Sequence, residues 1–195
     1  MRHYLRTAGA VCLLIMLLLT MLSAYAGAAD KPYKRSVERY QMPDVTLINQ
    51  EGKNVRLRNL VDSGKPVIVD FIYGTCTTIC PVLSACFTNL QSKLGANTQK
   101  VHLVSISIDP ENDSPRVMRE YLKRYRAKPG WDFLTGSRKD IDAVMKGFDA
   151  YIPNKMAHYA VTFIHMPGGD KWIRINGITS TSEFIEEIKK AGISL

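Results

Sequence analysis

Val67-Ile68-Val69-Asp70-Phe71-Ile72 runs without a break into Tyr73-Gly74-Thr75-Cys76-Thr77-Thr78-Ile79-Cys80-Pro81, and this stretch decides the fold. The first six residues are a dense β-branched run, the pattern of a central strand buried on both faces. Pro81 stands where a first helical turn begins, and Leu83, Phe87, Leu90 and Leu94 follow at helical spacing. Gly95 ends that helix. Two cysteines, four positions apart, therefore lie between the carboxyl end of a buried strand and the start of a helix. In α/β sheets that is where ligands and reactive groups gather.

Upstream, Val45–Ile48 and Val55–Leu57 flank Asn49-Gln50-Glu51-Gly52, a hairpin signal. Downstream, Val101–Ile108 is a second core strand. Ser114-Pro115 reads as N-cap and first helical position of a helix to about residue 127. Trp131–Leu134 is a short strand, and Ser137 caps a helix to about residue 150. Tyr159–Met166 and Lys171–Ile175 are strands around the turn Pro167-Gly168-Gly169-Asp170. Ser180 and Glu183 form a capping box for a last helix that ends before Gly192. Alternating strands and helices closed by a hairpin predict an α/β sheet, mostly parallel in the middle with an antiparallel edge. This is the arrangement of thioredoxin-like domains, a central sheet flanked by helices, here with an N-terminal β-hairpin extension and an inserted helix.

The chain has 195 residues, 46% apolar and 23% charged. That is the size of one domain with a short appendage, and it excludes a wholly disordered chain, collagen and a polytopic membrane protein. Four cysteines are too few for a disulfide scaffold. The net charge of +8 is spread along the chain, so it reads as a basic surface able to meet an acidic partner or anionic membrane. No basic run is interleaved with aromatics, so nucleic acid is not expected as a partner.

Residues 1–29 read as a signal peptide or membrane anchor. Arg2, His3 and Arg6 precede an uncharged run from Thr7 to Ala29, with small-residue cleavage sites at Ala24-Tyr25-Ala26 and Ala26-Gly27-Ala28. Uncleaved, the run is just long enough to span a bilayer and tether the protein to the membrane. Residues 30–42 read as a tether, and 43–195 as the folded domain. The expected location is outside the cytoplasm: periplasmic, or on the outer face of the cytoplasmic membrane. Cys12 lies in the apolar run and is given no role.

A helix N-terminus favours the thiolate, which is both nucleophile and soft-metal ligand. Cys76 and Cys80 can therefore form a disulfide, attack one, or bind copper or zinc. A purely structural disulfide is disfavoured, because it would close only a few residues and gain little loop entropy. Thioredoxins place two residues between their cysteines; three residues give a wider loop, suited to two sulfurs meeting one metal. An imidazole would complement them. His3 lies in the leader. His102 and His165 lie in strands and read as structural. His158 precedes a strand whose leading loop, in a thioredoxin-like sheet, lies against the cysteine loop. Cys86 sits about 240° around the helix from Cys80 and reads as buried and inert. Asp109 and Asp113 read as strand-end and helix-start residues rather than hydrolase acids, with Asp109 shaping the cysteine loop. Met156 and Met166 are soft donors; Met166 reads as packing.

These residues together resemble the Sco/SenC family of copper-binding proteins involved in cytochrome c oxidase assembly, over residues 40 to 192. The motifs are Cys76 to Pro81; Asp109-Pro110-Glu111-Asn112-Asp113-Ser114-Pro115; Trp131-Asp132-Phe133-Leu134-Thr135-Gly136; and His158 followed by Pro167-Gly168. Ala157 takes the place of the aspartate that commonly precedes the family's histidine. The resemblance implies one copper ion, Cu(I) or Cu(II), held by Cys76, Cys80 and His158. It implies a metallochaperone that passes copper to the dinuclear site of a terminal oxidase subunit, with a second copper chaperone as an optional donor. The alternative is a thiol–disulfide oxidoreductase that reduces the cysteines of such a site, with Cys76 attacking and Cys80 resolving. A third, weaker reading is peroxide reduction at one cysteine.

Overall fold

The computed structural model describes residues 31–195, so the expected leader, residues 1–29, lies outside the described residues. The described strands are β1 (Tyr33–Glu38), β2 (Thr46–Asn49), β3 (Asn54–Arg56), β4 (Val67–Ile72), β5 (His102–Ser107), β6 (Trp131–Thr135), β7 (Val161–His165) and β8 (Trp172–Gly177). The helices are α1 (Leu57–Val61), α2 (Cys80–Leu94), α3 (Pro115–Arg124), α4 (Arg138–Gly147) and α5 (Thr181–Lys190). All eight strands form one sheet in the order β1-β8-β7-β4-β5-β6-β2-β3.

The quoted stretch sits at its centre. Every residue of β4 is buried. It pairs in parallel with β5 on one side and antiparallel with β7 on the other. The pairing β5–β6 is also parallel, and every other pairing is antiparallel. The parallel part is thus narrower than the alternation of elements predicts.

Side chains alternate across β4, so the two faces carry different cores. Phe71 meets Phe148 at 5.6 Å and Phe163 at 5.9 Å between ring centroids, and Tyr40 closes on the same cluster. On the opposite face Phe87 of α2 meets Trp131 at 5.4 Å and stacks on Phe184 of α5, while Tyr121 of α3 packs edge-on to Phe133. Such pairs add roughly 0.5–1.5 kcal/mol each beyond their buried area. The caps read from sequence are present: Ser114 accepts from the Val117 amide, Ser137 from the Asp140 amide, and Ser180 with Glu183 completes a capping box.

Two segments differ from expectation. The stretch 30–42, read as a tether, contains β1, which pairs along its whole length with β8. Its sequence, Tyr-Lys-Arg-Ser-Val-Glu, buries only Tyr33, so it carries almost no apolar signal. Polar anchors hold it instead: the Tyr33 hydroxyl donates to Glu187 Oε1 at 2.9 Å, and Arg35 pairs with Glu187 Oε2 at 3.0 Å. The second difference is α1, where the hairpin's second strand ends a residue early. Leu57, Leu60 and Val61 face the core at helical spacing.

Candidate metal centre

Strand β4 ends at Ile72 and α2 begins at Cys80, so seven residues form the turn above the sheet. Its first part is pinned by a carboxylate. The Gly74 amide donates to Asp113 Oδ1 at 3.0 Å and Oδ2 at 3.2 Å, and the Ser107 hydroxyl donates to Asp113 Oδ2 at 2.5 Å. Glycine is required here by close approach. A Cβ at this position would lie 2.7 Å from Asp113 Oδ1 and 3.0 Å from Val117 Cγ1. The Cys76 amide then turns back to the Tyr73 carbonyl at 3.1 Å. Cys80 is the first residue of α2 and is fully buried, while Cys76 is 6% exposed. Both are free thiols.

His158 arrives from the loop that leads into the neighbouring strand, β7. It closes a 3₁₀ turn, Lys155–Ala157, just before β7. Asn154 Oδ1 accepts the Met156 amide at 2.9 Å, and the His158 amide donates to the Lys155 carbonyl at 3.1 Å. Lys155 reaches across to Asp109 Oδ2 at 2.5 Å and lies over the Tyr73 ring at 5.5 Å. The rings of Tyr73 and His158 meet edge-on at 6.3 Å. Cys80 Sγ and His158 Nδ1 stand 3.9 Å apart. Cys76 Sγ lies 3.7 Å from the Thr78 hydroxyl. A cavity of about 250 Å³, lined by Tyr73, Cys76, Thr78, Met156 and His158 among others, opens over the group.

The two sulfurs are electrostatically unlike. Burial pushes the Cys76 thiol up, but hydrogen bonds from the Cys80 thiol and amide and from Thr78 outweigh it, and the net position falls to about 7. Cys80 moves the other way, well above the ordinary thiol range. Burial is the main cause, followed by its role as donor to Cys76. Burial also drives His158 down to about 4, so its ring is neutral at physiological pH, with the Phe71 carbonyl opposing the shift. The His158 Nε2 is buried without a hydrogen-bond partner.

This donor set fits a soft metal. A low-lying thiol, a second thiol and a neutral imidazole are the groups that copper or zinc takes. The 3.9 Å between Cys80 Sγ and His158 Nδ1 is a span that one ion can bridge, given bonds of about 2.3 Å to sulfur and 2.0 Å to nitrogen. Among the described residues no three metal-binding side chains are already drawn into a cage.

The remaining sequence candidates separate cleanly. Cys86 is buried beside the Thr179 carbonyl at 3.9 Å, away from the pair. His165 Nε2 donates to the Gly169 carbonyl at 2.9 Å and its ring packs on Trp172. His102 is half-buried in β5. Met166 packs against the core, whereas Met156 borders the cavity. The role read for Asp109 falls to Asp113, which pins the cysteine loop, whereas Asp109 braces the His158 loop through Lys155. Sequence reading gave no role to Tyr73, Lys155 or Asp70. Asp70 is fully buried in β4; burial, opposed by the Ser105 hydroxyl, raises its carboxyl to about 7.

The SCO1/SenC family model matches residues 35–192. The SCO1 protein homolog of Bacillus subtilis is 35% identical over 162 residues, covering 78% of this chain and 83% of that protein. Among solved structures, BsSco, described as a member of the Sco family of cytochrome c oxidase assembly proteins with a disulfide switch, is 34% identical. It superposes with a TM-score of 0.66 over 80% of this chain and 95% of its own. Arabidopsis thaliana ScoI, solved with copper bound, is 26% identical, with a TM-score of 0.64 over 76% of this chain and 96% of its own. The fold is that of the Sco thioredoxin-like proteins.

Proposed function

The chain belongs to the SCO1/SenC family, and from that premise we propose that it is an exported copper metallochaperone serving cytochrome c oxidase assembly. Cys76, Cys80 and His158 would hold one copper ion as cargo. The observation that carries this reading is the meeting of a half-buried, neutral His158 with Cys80, beside a small cavity that His158 and Cys76 both line. Two thiolates favour Cu(I), and the imidazole lets the same site accept Cu(II). The receiving partner is a copper-binding subunit of a terminal oxidase, reached on the outer face of the cytoplasmic membrane or in the periplasm. The basic surface supports approach to an acidic partner.

A second reading is favoured by one observation, the split between the two thiols. Cys76 as a ready thiolate and Cys80 as a protonated reserve are the attacking and resolving groups of disulfide reduction. In that reading Cys76 attacks the target disulfide, one target sulfur leaves as thiolate, and Cys80 displaces the second. The protein ends oxidised as Cys76–Cys80 and the target ends as a dithiol.

Delivery to a purified, copper-free oxidase subunit separates the two. A metallochaperone loads a pre-reduced acceptor only when it carries copper, and the His158→Ala variant fails. A reductase restores an oxidised acceptor while copper-free, and His158→Ala still works.

A further inference from the structure

Met156 is out of place as a methionine. Such side chains ordinarily go to the interior, where the stem and the polarisable sulfur pack. Met156 is 75% exposed. Its backbone is nonetheless fixed, by Asn154 Oδ1 on its own amide and by the Lys155–Asp109 pair beside it. The Tyr73 hydroxyl lies 4.0 Å from its Sδ, and it borders the same cavity as Cys76 and His158. The result is a flexible, largely exposed thioether, touched by the Tyr73 hydroxyl and mounted on a pinned turn at a cavity lined by a thiol and an imidazole.

Resting on the copper reading above, we propose that Met156 is an outer copper donor that takes over from His158 as the ion leaves the site. A thioether is a soft ligand suited to Cu(I). In the exchange, the bond from copper to the His158 ring nitrogen breaks as a bond to Met156 Sδ forms. Both donors are neutral and each supplies one electron pair. The copper keeps its oxidation state, and no proton or electron changes hands. The cysteine sulfurs keep hold of the ion meanwhile. Met156 therefore governs how fast copper departs more than how tightly it rests.

The test uses the full chain in detergent, fully reduced, with ¹³C-labelled methionine methyl groups. One equivalent of Cu(I) is added, and a competing Cu(I) chelator then withdraws it. Met156→Leu preserves size and apolarity, removes the sulfur, and assigns the Met156 signal. The Met156 methyl resonance is expected to shift on Cu(I) addition while those of buried Met118 and Met145 do not. Met156→Leu is expected to slow copper withdrawal about tenfold while leaving equilibrium affinity within about threefold. One-to-one binding that depends on His158, with an unmoved Met156 methyl and wild-type withdrawal from Met156→Leu, overturns this inference alone. No Cu(I) binding at all overturns the copper reading and this inference together.

Discussion

Nδ1 of His158 stands 3.9 Å from Sγ of Cys80, across 78 residues of chain. The sheet makes this meeting. Strands β4 and β7 are antiparallel neighbours, with Asp70 opposite Thr162 and Val69 opposite Phe163. The carboxyl end of β4 therefore lies beside the amino end of β7. The loop leaving one and the loop leading into the other must share the same edge of the domain.

The Cys76 thiol, lowered to about 7, should alkylate with iodoacetamide at a rate that is half-maximal near pH 7. Cys80 should stay protected to much higher pH in the folded protein. Cys80→Ala removes a hydrogen bond to the Cys76 thiolate, so the Cys76 midpoint should move up toward the ordinary thiol value. An unchanged midpoint would show that Cys80 does not set it.

Gly74 and Asp113 should behave as one unit. Asp113→Ala strands the Gly74 amide and the Ser107 hydroxyl, at a cost of about 1–3 kcal/mol. Gly74→Ala forces a Cβ into the same carboxylate, at about 1–3 kcal/mol. Because the two share a contact, the double variant should lose less stability than the sum of the singles. Denaturant midpoints measure this, and strict additivity would contradict it.

Asp70 makes stability fall as pH rises. Its folded carboxyl titrates at about 7, above the ordinary value of 3.8, so between about pH 4 and 7 the folded state holds a proton that the unfolded state has released. Stability from this group is present in full below about pH 4 and is lost through pH 7, by on the order of 4 kcal/mol. Asp70→Asn should flatten that decline and give its largest gain at pH 8. Thermal melts of both proteins at pH 5 and pH 8 decide it; an equal effect at both would contradict it.

The pair Lys155–Asp109 holds the turn that presents His158. Asp109→Ala should lower copper affinity about tenfold, the range seen for groups that orient a ligand from behind. It should add nothing in a His158→Ala background. A chelator competition on the four proteins checks this, and additive losses would contradict it.

Much of this was legible in the sequence because the signals were apolar or local. The β4 run, the helical spacing after Pro81 and the serine caps each announce one element, and the site follows from where they meet. Strand β1 was not legible, since five of its six residues are not buried and its hold on the sheet is a distant buried carboxylate, Glu187. Asp109 and Asp113 were visible as a motif, but which loop each would brace depends on side-chain reach across the sheet, which spacing does not carry. The thiol split likewise arises from burial and from hydrogen bonds that Cys80 and Thr78 give to Cys76.

The measurement that tests the central claim most directly is an anaerobic Cu(I) competition titration of the reduced protein beside Cys76→Ser, Cys80→Ser and His158→Ala. One tight equivalent in the parent, weakened in all three variants, is the predicted result. Weak binding indifferent to His158, with the Cys76–Cys80 pair still able to oxidise and reduce, would contradict the metallochaperone account and leave the thiol–disulfide oxidoreductase in its place.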